Sequence, residues 1–204
     1  MRLLLIVSVL TVLLSGCESL IIAGAAGGAV ASTDRRTVPT QLEDQNIELK
    51  SFGALFENDE VWRDTNISVV SFNNTVLMVG QAPTAELKTK AEAEIKKIEK
   101  VKRILNQIRI AAPISFFASQ NDSLITTKVK SSMLFTSEFP SSKIKVVTEN
   151  SEVFLMGLVT AQEAEKAVEI TRNTGGVTKV IKAFEYIEEN AQLYKGIKYR
   201  YSSI

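Results

Sequence analysis

Apolar positions along this chain follow one pattern written twice. Asn74-Thr75-Val76-Leu77-Met78-Val79-Gly80 and Ser151-Glu152-Val153-Phe154-Leu155-Met156-Gly157 are each a short apolar run ending in glycine, and the two glycines lie 77 positions apart. Around the first run, a helix is predicted from an N-cap near Asp44, carrying Ile47, Leu49 and Leu55. Asn66 to Phe72 alternates, with Ile67, Val69 and Ser71 on one side. Asn73-Asn74 suits a two-residue hairpin turn, because asparagine tolerates positive φ. The return strand Thr75 to Gly80 is continuously apolar, which predicts burial on both faces. Pro83-Thr84 opens a second helix, Ala85 to Lys100, with Leu87, Ala91, Ile95 and Ile98 at helical spacing. Val101 to Ile110 supplies a last strand.

The same order returns downstream. Asp122 is read as the cap of a helix carrying Leu124, Ile125, Val129 and Met133. Lys143 to Thr148 alternates, Glu149-Asn150-Ser151 turns, and Val153 to Gly157 returns. Thr160 and Glu163 form a capping-box pattern before a helix with Ala164, Ala167, Val168 and Thr171 inward. Asn173 to Gly176 ends that helix, and Val177 to Ile187 closes the module. Gly175-Gly176 lacks the strand–loop–helix order of a phosphate cradle and reads as a C-cap. The repeated Gly80 and Gly157 mark a close backbone approach or unusual φ. The fold class is therefore α+β: two tandem modules, 44–111 and 121–188, joined by 112–120. Each is αββαβ, with a three-stranded mixed sheet packed by two helices. Pro113 and Phe116-Phe117 in the joining segment suggest that the modules pack closely, since adjacent exposed phenylalanines are unusual.

The flanks change the picture. Arg2 precedes an apolar run, Leu3 to Leu14, too short for the roughly 20 residues of a membrane span. Leu14-Ser15-Gly16-Cys17 follows, which resembles a bacterial lipobox. Residues 1–16 are then a signal peptide and Cys17 the acylated residue, with enough acyl chains for stable anchoring. Glu18 behind the cysteine favours the outer membrane over inner-membrane retention. Residues 17–43 read as the lipidated cysteine and a flexible Ala/Gly tether, or alternatively a small-residue packing helix. The tail, 189–204, interleaves Tyr194, Tyr199 and Tyr201 with Lys195, Lys198 and Arg200, suiting either a membrane interface or a frayed end.

Composition narrows the chemistry. The chain has no histidine, one cysteine and a formal charge of +1. The commonest general base and metal ligand are missing, and no cysteine cluster exists to hold zinc. A bulk electrostatic nucleic-acid binder is also disfavoured. Glu92/Glu94 and Glu163/Glu165 read as solvated helix faces. Neither an enzyme, a cofactor nor a metal is expected.

The runs Asn121-Asp122-Ser123, Ile125 to Ser131 and Lys145 to Thr160, with Val79 to Pro83 in the first module, resemble the BON domain family. More narrowly, they resemble its outer-membrane lipoproteins with two BON domains. That resemblance implies a monomeric, non-enzymatic, periplasm-facing protein that supports outer-membrane integrity and gathers at the division site. It implies binding of anionic phospholipid through the first helix of the second domain, and a link to β-barrel assembly machinery. An adaptor role with protein partners as the main ligands stands as the alternative. The lipid-binding residues carried over are Leu124, Thr126, Thr127, Lys128, Lys130 and Ser131. The lysines would meet lipid phosphates, the hydroxyls would donate hydrogen bonds, and Leu124 would wedge into the acyl boundary. The family pattern has Trp where this chain has Leu124, so the interfacial indole is missing. The residues alone leave a second reading of Leu124 open, as a core side chain beside two solvated lysines.

Overall fold

The computed structural model describes residues 34–112, 116–188 and 200–201, with side chains from 34–112 and 119–188. Cys17, the signal peptide and the tether lie outside the described residues, as does most of the tail. The first module runs α1 (Val38–Glu57), α2 (Asp59–Asp64), β1 (Asn66–Phe72), β2 (Thr75–Ala82), α3 (Ala85–Lys96), β3 (Arg103–Asn106) and β4 (Arg109–Ile110). The second runs α4 (Phe116–Phe135), a short 3-10 turn, β5 (Ile144–Glu149), β6 (Glu152–Val159), α5 (Ala161–Arg172), β7 (Lys179–Tyr186) and β8 (Arg200–Tyr201). The repeat holds, with additions: α2, the split of the predicted 101–110 strand into β3 and β4, and a strand from the tail that pairs with Glu185 and Tyr186.

Each hairpin turns in two residues. Asn73 and Asn74 have φ of 52° and 65°, and Asn150 and Ser151 have 52° and 62°. Left-handed conformation at both central residues matches the twist of the flanking strands. The first helix of each module then fixes its turn. Asp44 accepts from the Asn73 and Asn74 amides at 2.7 Å and from the Ser71 hydroxyl at 2.7 Å. Asp122 accepts from the Asn150 and Ser151 amides at 2.6 and 2.7 Å. This corrects the N-cap expectation at both positions. The first helix is capped by Thr37 and begins at Val38, and Asp122 lies well inside α4. Both aspartates cap a turn brought to them by tertiary folding.

Sheet order is β1-β2-β3, with β4 also on β2, and β5-β6-β7-β8. The central strands β2 and β6 each pair antiparallel with the preceding strand and parallel with the one after the helix. Their alternate residues serve two cores. Val76, Met78 and Ala82 pack with Ile47, Leu55, Val61, Ala91 and Ile95 from the helices. Val153, Leu155 and Val159 do the same against Ile125, Val129, Met133, Ala164 and Ala167. The opposite faces meet each other: Leu77, Val79, Phe72 and Leu105 pack against Phe154, Met156, Leu158, Ile181 and Ala183. The result is four layers, helices–sheet–sheet–helices. Burial of each large side chain in this seam contributes about 1.5–3 kcal/mol, so the modules are one body and not two beads. The continuous apolar run is thus explained, and the modules pack sheet to sheet; Pro113 and the side chains of Phe116 and Phe117, on which close packing was expected, lie outside the described residues.

Polar contacts frame the seam. Glu185, 3% exposed, accepts from Asn73 Nδ2 at 2.7 Å and Thr75 Oγ1 at 2.9 Å. Gln81 Nε2 donates to Glu149 Oε1 at 2.5 Å. Lys145 reaches Glu48 at 2.8 Å, and Arg109 reaches Glu152 at 2.6 Å. The repeated glycines sit where backbones touch. A Cβ on Gly80 (φ +116°) would collide with the Asn66 carbonyl, and one on Gly157 would lie 2.7 Å from the Lys143 carbonyl oxygen.

Two further readings change. Of the apolar residues read on the first helix, Ile47 and Leu55 are buried and Leu49 is 71% exposed. Glu163, expected on a solvated face, lies in a part-buried cluster. Its carboxylate completes the capping box with Thr160 and is held by Arg35.

Candidate functional site

The second module's first helix, α4, divides cleanly. Asp122, Ile125, Val129 and Met133 are buried, at spacings of three and four. That face is consumed by the core and the hairpin turn. The other face carries Leu124, Leu134 and Phe135, which are 61%, 67% and 85% exposed. Leu124, Lys128, Ser131 and Phe135 follow one another at i, i+4, i+7 and i+11, so they form a single outward stripe. Thr127 and Leu134 flank it on one side.

The core reading of Leu124 therefore fails, because Ile125 takes the inward position beside it. Lys128 and Lys130 are exposed, and neither forms an ion pair among the described residues. Their charges are available to an outside ligand. The hydroxyls differ. Thr127 donates to the Ser123 carbonyl at 3.0 Å, within its own helix. Thr126 is half-buried and turned to the hairpin, where its Oγ1 bonds Thr148 Oγ1 at 2.7 Å. Ser131 is half-buried at the middle of the stripe. Lys128 thus stands within the apolar stripe, and Lys130 stands at its edge, one turn before Leu134. Leu134 and Phe135 were missed from the sequence, although their spacing from Leu124 places them on its face.

Acidic groups around α4 point elsewhere. Burial pushes the Glu149 carboxyl above its ordinary range, only partly offset by Gln81, with Asp122 adding repulsion. These two carboxylates face the turn and the seam, and the exposed Glu138 lies past the end of α4.

Among the described residues no cluster of His, Cys, Asp and Glu could hold a metal, and no helix is long and apolar enough to cross a membrane. Open clefts lie beside α3 and α5. One, of about 550 Å³, lies between α1 and α3 beside Lys50, Glu57, Glu94 and Lys97. The other, of about 500 Å³, lies on α5 and β7 beside Glu165, Arg172, Lys182 and Tyr186. Neither places a nucleophile beside an orienting base.

The BON domain family model matches residues 43–112 and again 121–188. The chain is 37% identical to the outer membrane lipoprotein DolP of Haemophilus influenzae over 178 residues, covering 87% of this chain and 92% of that protein. It is 36% identical to the 21 kDa hemolysin of Actinobacillus pleuropneumoniae over 162 residues, covering 79% and 84%. Among solved structures, CdsD of the Chlamydia trachomatis type III secretion system aligns at 8% identity. That alignment has a TM-score of 0.29 and covers 72% of this chain and 95% of that one.

Proposed function

The chain belongs to the BON-domain outer-membrane lipoproteins, and from that premise we propose that it binds anionic phospholipid through the exposed face of α4. One observation carries this reading: Leu124, Leu134 and Phe135 stand exposed on the helix that also presents Lys128 and Lys130, while Ile125, Val129 and Met133 satisfy the core. Near an anionic surface each lysine contributes about 1 kcal/mol. The apolar side chains add burial at the acyl boundary, and Phe135 supplies an aromatic where Leu124 does not. The protein acts at the periplasmic side of the outer membrane, anchored through Cys17, and supports membrane integrity without catalysing a reaction. Enrichment at the division site belongs to the same reading.

Vesicle flotation of the unacylated mature chain tests it. Binding should rise with the fraction of phosphatidylglycerol. It should fall at least tenfold on K128E/K130E and on Leu124→Ser/Phe135→Ser, with the circular dichroism spectrum unchanged. No gain from anionic lipid would sink the proposal. It would leave the adaptor role at β-barrel assembly or division machinery as the better account.

A further inference from the structure

The first helix of the first module carries an exposed stripe of its own. Val38, Leu42, Leu49, Phe52 and Phe56 are 46%, 52%, 71%, 58% and 54% exposed. They fall at i, i+4, i+11, i+14 and i+18, which keeps all five on one face of α1 along about 27 Å. At the far end Trp62 from α2, 44% exposed, joins them. Its ring packs edge-on against Phe52 at 5.4 Å and Phe56 at 5.1 Å. The core is already satisfied on the opposite face by Ile47, Ser51, Leu55 and Val61. An aromatic cluster left outside a complete core marks an interaction surface.

We propose that this ridge is a second membrane contact, lying in the headgroup–acyl boundary of uncharged phospholipid. Three observations select a bilayer as its occupant. First, the ridge lies within reach of the anchor: 16 residues separate Cys17 from Asp34. Even fully extended they span no more than about 60 Å. Arg35 and Arg36 then fix the chain to the body, through Glu163 and through Asp44, immediately before α1 begins. Second, the ridge is convex and linear, a shape that a bilayer surface accepts without a complementary groove. Phe and Trp are also side chains that settle at such an interface. Third, Gln41, Gln45, Asn46 and Gly53 beside the stripe are uncharged, and Glu48 on its flank is paired with Lys145. The charged residues around Trp62, namely Glu57, Asp59, Glu60, Asp64 and Arg63, sum to an acidic rim. That rim opposes anionic lipid and also opposes pairing of two identical ridges. The contact therefore differs in kind from that of α4: it is apolar, and its acidic rim favours uncharged over anionic headgroups. The proposal rests on the outer-membrane lipoprotein placement and not on the α4 reading.

Trp62 is the only tryptophan, so its fluorescence reports on the ridge alone. The mature lipidated chain is reconstituted in phosphatidylcholine vesicles, with and without acyl-brominated phosphatidylcholine. The expected result is a blue-shifted Trp62 emission, most of which is lost with the brominated lipid. The K128E/K130E variant should behave the same, which separates this contact from that of α4. Phe52→Ser/Phe56→Ser changes exposed side chains, so it should leave the fold intact while removing both blue shift and quenching. Three results overturn the proposal. The first is emission that stays red and open to iodide. The second is a blue shift without quenching by brominated lipid, which would mean a protein partner or a second copy. The third is loss of quenching with K128E/K130E, which would make it a by-product of α4 binding.

Discussion

Arg35 grips Glu163 through both terminal guanidinium nitrogens, Nη1 to Oε2 at 2.5 Å and Nη2 to Oε1 at 2.9 Å. Nη1 also donates to the Leu158 carbonyl at 2.7 Å. The strap that precedes the first module is thus tied to the second, and the neighbouring Arg36 ties it to Asp34 and Asp44 while covering the Phe72 ring. Burial alone would push the Glu163 carboxyl up. Arg35, the Thr160 amide and Lys143 outweigh that and hold it below its ordinary range. A lowered folded value contributes stability above the ordinary carboxylate range, lost as pH falls through the lowered one. Arg35→Ala should cost about 1.5–3 kcal/mol at neutral pH in urea denaturation. It should also flatten the acid limb of the stability profile, since the ionised Glu163 loses its main partner. An unchanged midpoint and an unchanged acid limb would mean that the strap is not held in solution.

The paired turn caps make a comparison between copies. Asp44 serves two backbone amides, the Ser71 hydroxyl and Arg36. Asp122 serves two amides. Removing either carboxylate strands the turn's N–H groups, but Asp44→Ala strands more and deeper partners. We expect losses of about 3 kcal/mol for Asp44→Ala and about 2 for Asp122→Ala, read from denaturant midpoints at constant m. Asp44→Asn should recover only part, since one carboxamide oxygen cannot replace two carboxylate oxygens.

These aspartates also show where sequence reading stops. An aspartate before a helical apolar pattern accepts amide hydrogens equally well as an N-cap or as the cap of a distant turn. Nothing local separates the two. The turns themselves were legible, because Asn73-Asn74 and Asn150-Ser151 are residue types that accept positive φ. So was the double burial of β2 and β6, though not what covers the second face, since that partner lies in the other module. Leu49 could have been excluded. Ile47, Ser51 and Leu55 are in phase on α1 and Leu49 is not, but the serine in the middle hid the phase. Its hydroxyl is satisfied by the Ile47 carbonyl at 2.7 Å, which lets it sit in the core. Asp44 and Glu48 are spent on the β1–β2 hairpin and on Lys145, and the outer face of α1 is apolar.

The two equivalent glycines should not tolerate alanine equally. Gly80 combines φ of +116° with a methyl position inside the Asn66 carbonyl. Gly157 has ordinary φ, and its added methyl would meet the Lys143 carbonyl oxygen at 2.7 Å, at the end of the 3-10 turn. Gly80→Ala should cost about 3 kcal/mol or more, and Gly157→Ala about 1–2. Thermal unfolding of the two variants side by side gives the order, and equal losses would mean that φ contributes nothing at Gly80.

The carboxylate of Glu185 lies at the seam between modules, reached by Asn73 and Thr75 from the first hairpin. Burial pushes it above the ordinary range. The two hydrogen bonds and the nearby Lys102 and Arg103 offset this only in part. A raised folded value means that the native state holds this proton to higher pH than the unfolded chain does. Stability from this group is therefore greatest below the ordinary carboxylate range and falls as pH rises through the raised value. Glu185→Gln keeps the shape, and its amide can still accept from Asn73 and meet the Thr75 hydroxyl. The variant should match wild type at low pH and become the more stable of the two as pH rises toward neutrality. Urea denaturation across that range checks the sign. A variant that loses stability with rising pH relative to wild type would mean that the ionised carboxylate is held by its partners more strongly than burial opposes it.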